Sequence, residues 1–350
     1  MPENQYTLQQ LGWKAVFNQQ LTLDELEQTV PYRVTQVFRN RLTLLGENGE
    51  HNVDLAQFPA MQQSTVGDWL LIPLEPATAP VRLDRQSLFQ RKAPGANTSQ
   101  LIAANVDTAF IVSSCNHDFN LSRIERYLAL AKEADVEAVL VLTKADRVNE
   151  QQLQTYYEQI QQQHPHLLVI SLNALDSSDV QKLNDWCKVG QTVVLLGSSG
   201  VGKTTLTNSL CLTQAATAAI REDDSKGRHT TTSRSLYFTH SGGLILDSPG
   251  MRELQLTDCE EGVRAVFEDI ELIAQQCKFK DCQHQSEPGC AVVQALNAGE
   301  LEERRLTNYQ KMLAEQARNS MTLAQSHQQD RAFGKLIKSS LKDKKSRLER

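Results

Sequence analysis

No apolar run in the chain approaches the roughly 18 residues that a membrane-spanning helix needs, and the polar start Met1 to Gln5 has no basic patch followed by an apolar stretch. A cytoplasmic protein without membrane contact is expected. Positive charge is not in excess either, because 36 Lys and Arg stand against 42 Asp and Glu, a formal net charge of -6. The molecule as a whole has no attraction for nucleic acid, so any such binding must come from local patches. Cysteine is scarce and odd in number: of seven, Cys115, Cys187, Cys211 and Cys259 stand singly, the pattern of buried thiols in a reducing compartment. What is present, 40% hydrophobic and 22% charged residues over 350 positions, is an ordinary globular composition with room for two or three domains.

The most informative stretch is Gly197-Ser198-Ser199-Gly200-Val201-Gly202-Lys203-Thr204-Thr205, which fits the phosphate-binding pattern G-x-x-x-x-G-K-[ST]. An apolar run, Thr192 to Leu196, precedes it and a helix-like segment, Leu206 to Leu212, follows, so the strand, loop and helix that the motif requires are in place. Glycine at 197, 200 and 202 lets backbone N–H groups turn inward around phosphates. Lys203 is placed for the β- and γ-phosphates and Thr204 for Mg²⁺, and the helix from 203 aims its positive end at the anion.

Upstream, residues 1–30 are rich in Gln and Leu with a single basic residue, Lys14, and predict a helical or loosely ordered extension. Tyr32 to Phe38, Arg41 to Leu45 and Asp68 to Ile72 read as short strands at the spacing of a small antiparallel barrel of OB or SH3 type. The Pro-rich piece 73–80 reads as a loop, and Arg82, Arg85, Arg91 and Lys92 are the best local positions for phosphate contact. Beyond Gln100 the pattern turns α/β: strands Val106 to Val112 and Ala138 to Leu142 flank a helix from Leu121 to Asp135. The second strand ends in Thr143-Lys144-Ala145-Asp146, close to the guanine-reading N-K-x-D motif with Thr for Asn. Asp146 can accept from the guanine N1–H and exocyclic amine, which adenine does not offer in that arrangement. A helix from Gln151 to Gln163 and a strand from Leu167 to Ile170 lead to Ser171-Leu172, where GTPases often place an S-A-x loop that approaches the guanine O6.

Downstream, Gly227-Arg228-His229-Thr230-Thr231-Thr232 reads as a first switch loop, with Thr231 for Mg²⁺. Asp247-Ser248-Pro249-Gly250 fits D-x-P-G, a Mg²⁺-linked carboxylate followed by a glycine N–H for the γ-phosphate. Where Ras-like enzymes carry a water-orienting Gln, the chain has Met251, so hydrolysis is expected to be slow without a partner, with His229 as the alternative water-orienting group. The base-reading motifs precede the P-loop, the reverse of the usual order, so the second switch runs through one short helix into the C-terminal part. There Cys277, Cys282, His284 and Cys290 offer three thiolates and one imidazole, suited to one structural tetrahedral Zn²⁺. A disulfide with a spare thiol, or no metal, are the alternatives. Helices are expected over Ala291 to Ala298 and from Glu300 to about Ala324. The basic tail from Arg331 is a possible grip on RNA phosphate.

In this combination, together with Ile102-Ala103-Ala104-Asn105-Val106-Asp107, the chain resembles the RsgA (YjeQ) family of circularly permuted GTPases over residues 32–325. The resemblance implies a multidomain chain: an N-terminal OB-type barrel, a central α/β P-loop GTPase and a C-terminal α-helical zinc-binding domain. It also implies hydrolysis of GTP to GDP and phosphate stimulated by the 30S ribosomal subunit, a late role in its maturation, and contact with 16S rRNA. The expected boundaries are 1–30 for the extension, 31–97, 98–262 and 263–325 for the three domains, and 326–350 for the tail, in a monomer. Two other classes fit parts of the pattern: an RNA-binding adaptor that holds GTP as a structural ligand, and an ATP-using small-molecule kinase.

Overall fold

A computed structural model describes residues 6–76, 78–92, 99–212, 235–247, 259–285 and 287–319. After two short helices, α1 (Ala15–Asn18) and α2 (Leu23–Gln28), come β1 (Thr29–Val37), β2 (Arg41–Gly46), β3 (Gly49–Asp54), β4 (Trp69–Pro73) and β5 (Val81–Arg82). They pair antiparallel in the order β3-β2-β1-β4-β5. A bulge between Val34 and Gln36 bends β1, and Tyr32, Val34, Leu42, Leu44, Val53 and Leu70 share one core. Sequence alternation finds β1, β2 and β4. It misses β3, an end strand of polar residues in which only Val53 is buried, and β5, which has only two residues.

The N-terminal segment is docked over its described residues. Leu11 and Phe17 are buried beside Trp69, Leu71 and Leu83, and Tyr6 stacks on Phe238 at 4.3 Å. Its few large apolar side chains, diluted by Gln in the sequence, converge on one apolar face. Arg33, fully buried, binds this segment to the rest: Nη1 donates to Leu11 O at 2.6 Å and Thr192 Oγ1 at 2.9 Å, and Nη2 to Asn105 O at 3.0 Å. Burial pulls its pKa down to about 10 against the favourable charges of Asp107 and Asp68. Two of the residues expected to meet phosphate, Arg82 and Arg85, make internal contacts. Arg85 grips Asp68 at 2.7 and 2.8 Å, and Arg82 and Arg85 both donate to Gln63 O at 2.7 Å.

A hairpin, β6 (Leu88–Lys92) and β7 (Ser99–Ala104), leads into β8 (Thr108–Ser114), α3 (Leu121–Glu133), β9 (Glu137–Thr143), α4 (Glu150–Gln163), β10 (Leu168–Ser171) and α5 (Ser177–Val180). Then follow β11 (Thr192–Leu196), α6 (Lys203–Leu210), β12 (Ser235–Phe238) and β13 (Leu244–Asp247). The sheet order is β10-β9-β8-β11-β13-β12, parallel except where β12 meets β13. Because side chains alternate along a strand, Phe110, Val112, Val139, Val141, Val193 and Leu195 pack on one face with Leu206 of α6. Ile111, Leu140, Leu142, Val194 and Leu196 pack on the other with Ile124 and Leu128 of α3. Burial on both faces explains why these strands read as continuous apolar runs. It also gathers the carboxyl ends of five parallel strands along one edge, where α/β folds bind ligands.

Among the described residues four helices follow: α7 (Glu260–Val266), α8 (Glu268–Ala274), α9 (Ala291–Asn297) and α10 (Glu303–Asn319). Helix α7 lies so close to α3 that a Cβ on Gly262 would fall 2.2 Å from Ala129 O. On α3, the fully buried Glu125 accepts from Arg304 Nη2 at 3.0 Å, Arg305 Nη1 at 3.1 Å and Asn308 Nδ2 at 2.5 Å, all on α10. Burial opposes its charge, but His164, Arg304 and Arg305 prevail and hold its pKa down to about 2. No helix among the described residues is long and apolar enough to cross a membrane. The basic tail, 326–350, lies outside the described residues.

Candidate nucleotide edge and metal centre

The Gly197–Thr205 loop leaves β11 between β8 and β13 and enters α6 at Lys203. Glycine is required at its start, because a Cβ on Gly197 would sit 2.4 Å from Val112 O, and at Gly202, which closes the loop at φ 98°. Ser199 and Gly200 are exposed at the tip, while Val201 is buried beneath it. Lys203 Nζ rests on its own loop, donating to Gly197 O at 2.6 Å and Ser198 O at 2.5 Å. Thr204 and Thr205 follow in the first turn of α6, both half-buried.

The motif at the end of β9 is joined directly to this loop. Thr143, fully buried, donates from Oγ1 to Val201 O at 2.6 Å, and Lys144, in the left-handed region at φ 58°, donates from Nζ to Gly200 O at 2.9 Å. Threonine in place of asparagine thus still ties the base motif to the phosphate loop. Ala145 N–H donates to Leu172 O at 3.3 Å, which sets Ser171-Leu172 beside Thr143-Lys144. The Leu172 side chain points into the core, and its N–H donates to Leu142 O at 2.9 Å. Asp146 is exposed rather than buried, so desolvation of its carboxylate must come from the base itself. Asp247 ends β13, which runs parallel beside β11, and its side chain is outside the described residues. His229, Thr231 and Gly250 also lie outside them.

Sequence reading passed over two residues at this edge. Ser198 Oγ donates to Asp118 Oδ2 at 2.9 Å and accepts from Arg123 Nη1 at 2.9 Å, and Arg123 Nη1 also donates to Asp118 Oδ1 at 2.6 Å. Burial raises the Asp118 pKa, but the Arg123 and Ser198 hydrogen bonds prevail and hold it below the usual carboxylate value. Their partner lies 75 and 80 positions away in sequence, which no local pattern reveals.

The second constellation is the Cys/His cluster, whose four ligand atoms lie within 4.8 Å of one another. Cys277 Sγ is 3.9 Å from Cys290 Sγ and 3.7 Å from His284 Nδ1, and Cys290 Sγ is 3.5 Å from the same nitrogen. A tetrahedral Zn²⁺ with Zn–S near 2.3 Å and Zn–N near 2.0–2.1 Å sets its ligands about 3.5–3.8 Å apart, so the donor set and its spacing fit one such ion. His284 reaches inward from a left-handed backbone at φ 57°. Glu287 fixes the turn around it, accepting from Gln283 N and Gln285 N at 2.9 Å.

A P-loop at the switch point of a mostly parallel sheet, locked to a strand-end T-K-x-D motif that precedes it in the chain, defines a P-loop GTPase of permuted order. The chain matches the RsgA GTPase family model over residues 82–257. A Vibrio parahaemolyticus protein named small ribosomal subunit biogenesis GTPase RsgA 2 is 52% identical over 342 residues, covering 97% of this chain and 94% of that one. A Mesorhizobium japonicum protein named small ribosomal subunit biogenesis GTPase RsgA is 43% identical over 318 residues, covering 90% and 91%. Among solved structures, YjeQ from Thermotoga maritima superposes with a TM-score of 0.60 at 25% identity over 82% of this chain and 98% of that one. YloQ, described as a circularly permuted GTPase, shares the fold at a TM-score of 0.56 and 22% identity over 82% and 94%. The chain belongs to the RsgA GTPase family and is a GTP-hydrolysing enzyme.

Proposed function

We propose that this GTPase binds the small ribosomal subunit and acts late in its maturation, hydrolysing GTP to GDP and phosphate with stimulation by that subunit. The observation that carries the nucleotide part is the Thr143 to Val201 and Lys144 to Gly200 bonding, which makes one rigid unit of the base-reading and phosphate-binding motifs. In this reading the backbone of Gly197, Ser198, Ser199, Gly200, Val201 and Gly202 cradles the phosphates, together with Lys203, Thr204 and Thr205. Lys203 leaves its own carbonyls for the β- and γ-phosphates, and Thr204, Thr231 and Asp247 hold Mg²⁺. Gly250 meets the γ-phosphate, Asp146 reads guanine with Thr143, Lys144, Ala145, Ser171 and Leu172 around the base, and His229 orients the attacking water.

The subunit part rests on the names of the relatives, which are small ribosomal subunit biogenesis GTPases over nearly the whole length of this chain. Residues 31–97 serve as an OB-type barrel and residues 263–325 as the zinc domain, and both approach 16S rRNA. The GTPase unit, 98–262, works between them in a cytoplasmic monomer, flanked by the 1–30 and 326–350 extensions.

The test is GTP turnover with and without purified 30S subunits, on the wild type and His229→Ala. Stimulation of the wild type and its loss in the variant are expected. Intact GTP binding with no stimulation by 30S would reduce the protein to an adaptor that holds GTP as a ligand. Asp146→Asn should abolish the preference for GTP over ATP, and an unchanged preference would remove Asp146 from base recognition.

A further inference from the structure

Ser198 occupies the second position of the phosphate loop, and its side chain turns away from the loop tip toward α3. Its hydroxyl has one proton to give and gives it to Asp118 Oδ2 at 2.9 Å, while it receives one from Arg123 Nη1 at 2.9 Å. The second proton of Nη1 goes to Asp118 Oδ1 at 2.6 Å. The three side chains form a closed ring in which each proton has one acceptor, and all three links are charge-assisted. From the other side, Lys203 Nζ holds the carbonyls of Gly197 and Ser198. Ser198 is therefore gripped at both its side chain and its carbonyl.

The frame that carries Asp118 and Arg123 is itself stiff. Asn116 Oδ1 accepts from Asp118 N–H and from Ser114 Oγ, both at 2.9 Å, which fixes the turn out of β8. Asn120 caps α3, accepting from Arg123 N–H at 3.0 Å. Rigid support of this kind sets the geometry of a binding loop more closely than the loop can alone.

We infer that Arg123, together with Asp118, is a positioning residue for the nucleotide: the pair clamps Ser198 and holds the phosphate loop open in its binding shape before the ligand arrives. When phosphate enters, Lys203 must leave the carbonyls of Gly197 and Ser198, and the Asp118-Arg123 ring is then the remaining side-chain support of Ser198 among the described residues. A preformed loop loses less conformational freedom on binding. The clamp acts at the start of the loop, away from its exposed tip, so its effect falls on nucleoside diphosphate and triphosphate alike. This inference rests on the reading of Gly197–Thr205 as the phosphate site.

The experiment measures the dissociation constants of fluorescent GDP and of a fluorescent non-hydrolysable GTP analogue. The full-length variants are Arg123→Ala, Arg123→Lys, Ser198→Ala, the Arg123→Ala/Ser198→Ala double variant and Lys203→Ala. Arg123→Ala and Ser198→Ala should each weaken both nucleotides about tenfold, as expected for loss of a charge-assisted hydrogen bond. The double variant should be no weaker than the worse single one, because the two act through one ring. Lysine at 123 carries enough donors to serve both Asp118 and Ser198 and should recover part of the loss. Because Ser198→Ala deletes one oxygen, it keeps the test valid if Arg123→Ala folds poorly. Unchanged affinity in the single variants, with binding abolished in Lys203→Ala, would overturn the clamp and leave the phosphate site standing. Loss confined to the triphosphate analogue would overturn it in favour of a direct γ-phosphate contact, as would fully additive losses in the double variant. Undiminished binding in Lys203→Ala would remove the phosphate-site reading and the clamp together.

Discussion

Thr143 stands where related GTPases place asparagine, and its fully buried hydroxyl lies 2.6 Å from Val201 O, the shorter of two carbonyl contacts, with Ser113 O at 3.2 Å. Valine has nearly the same shape but no donor, so Thr143→Val leaves a buried carbonyl unpaired without opening a cavity. Such a group costs about 1–3 kcal/mol. We expect Thr143→Val to lose that much stability in urea titrations and to bind GTP several-fold more weakly. An unchanged midpoint and affinity would mean that the loop is positioned without this bond. The motif residues at this scale are legible in sequence because phosphate and guanine chemistry dictate both residue type and spacing, as Gly197 to Thr205 illustrate. Asp118, Arg123 and Arg33 are not legible, because each is defined by partners that only the fold brings near. Arg33 meets Thr192 across 159 positions, and nothing around either residue in sequence announces the pair.

The same division recurs among the elements. β8, β9 and β11 are buried on both faces and read directly as apolar runs, whereas β3, polar at one end of its sheet, and β12 carry no such signal. The link between the nucleotide edge and the C-terminal helices is also wider than motif order predicts. Besides the path through the second switch and α7, helix α3 holds Ser198 through Arg123 and holds α10 through Glu125 and Arg126, the latter pairing with Glu315 at 2.5 Å. Glu125 makes this joint sensitive to acid. Its folded pKa, about 2, lies below its ordinary 4.5, so its contribution is complete above about pH 4.5 and disappears as pH falls through about 2. That shift corresponds to about 3 kcal/mol. Glu125→Gln should flatten the fall in stability between those pH values. At neutral pH the variant should lose about 3 kcal/mol, because the buried Arg305 keeps Asp269 but loses the charge of Glu125. Urea melts at pH 7, 4 and 3 read both effects, and parallel curves for variant and wild type would show that Glu125 does not control the acid limb.

For the molecule as a whole, the question is what keeps the C-terminal helices in place to act on or respond to the nucleotide edge. The cysteine cluster borders the core that contains Val292, Leu306, Tyr309 and Met312. Helix α10 touches it directly, Gln310 Nε2 donating to His284 O at 3.3 Å and to Gln283 O at 3.4 Å. Part of the loop that carries the ligands is open to solvent, with Phe279, Lys280 and Asp281 exposed, and thiolates gathered this closely repel one another unless a cation is among them. A bound Zn²⁺ would therefore hold residues 277–290 in shape and, through Gln310, help seat α10, whose Arg304 and Arg305 hold Glu125 on α3. Removing the ion should release these contacts in sequence, starting at the cluster. The central sheet should survive, because β8, β9, β11 and β13 share a core on the face away from α10. We expect metal analysis to find one zinc per chain. After chelation, amide exchange should rise strongly in α9 and α10 and modestly in α3, while β8, β9 and β11 stay protected. Equal exchange in α10 before and after chelation would mean that the helix is seated by its salt bridges alone. Collapse of protection in the sheet as well would mean that the zinc centre supports the whole fold rather than its C-terminal third.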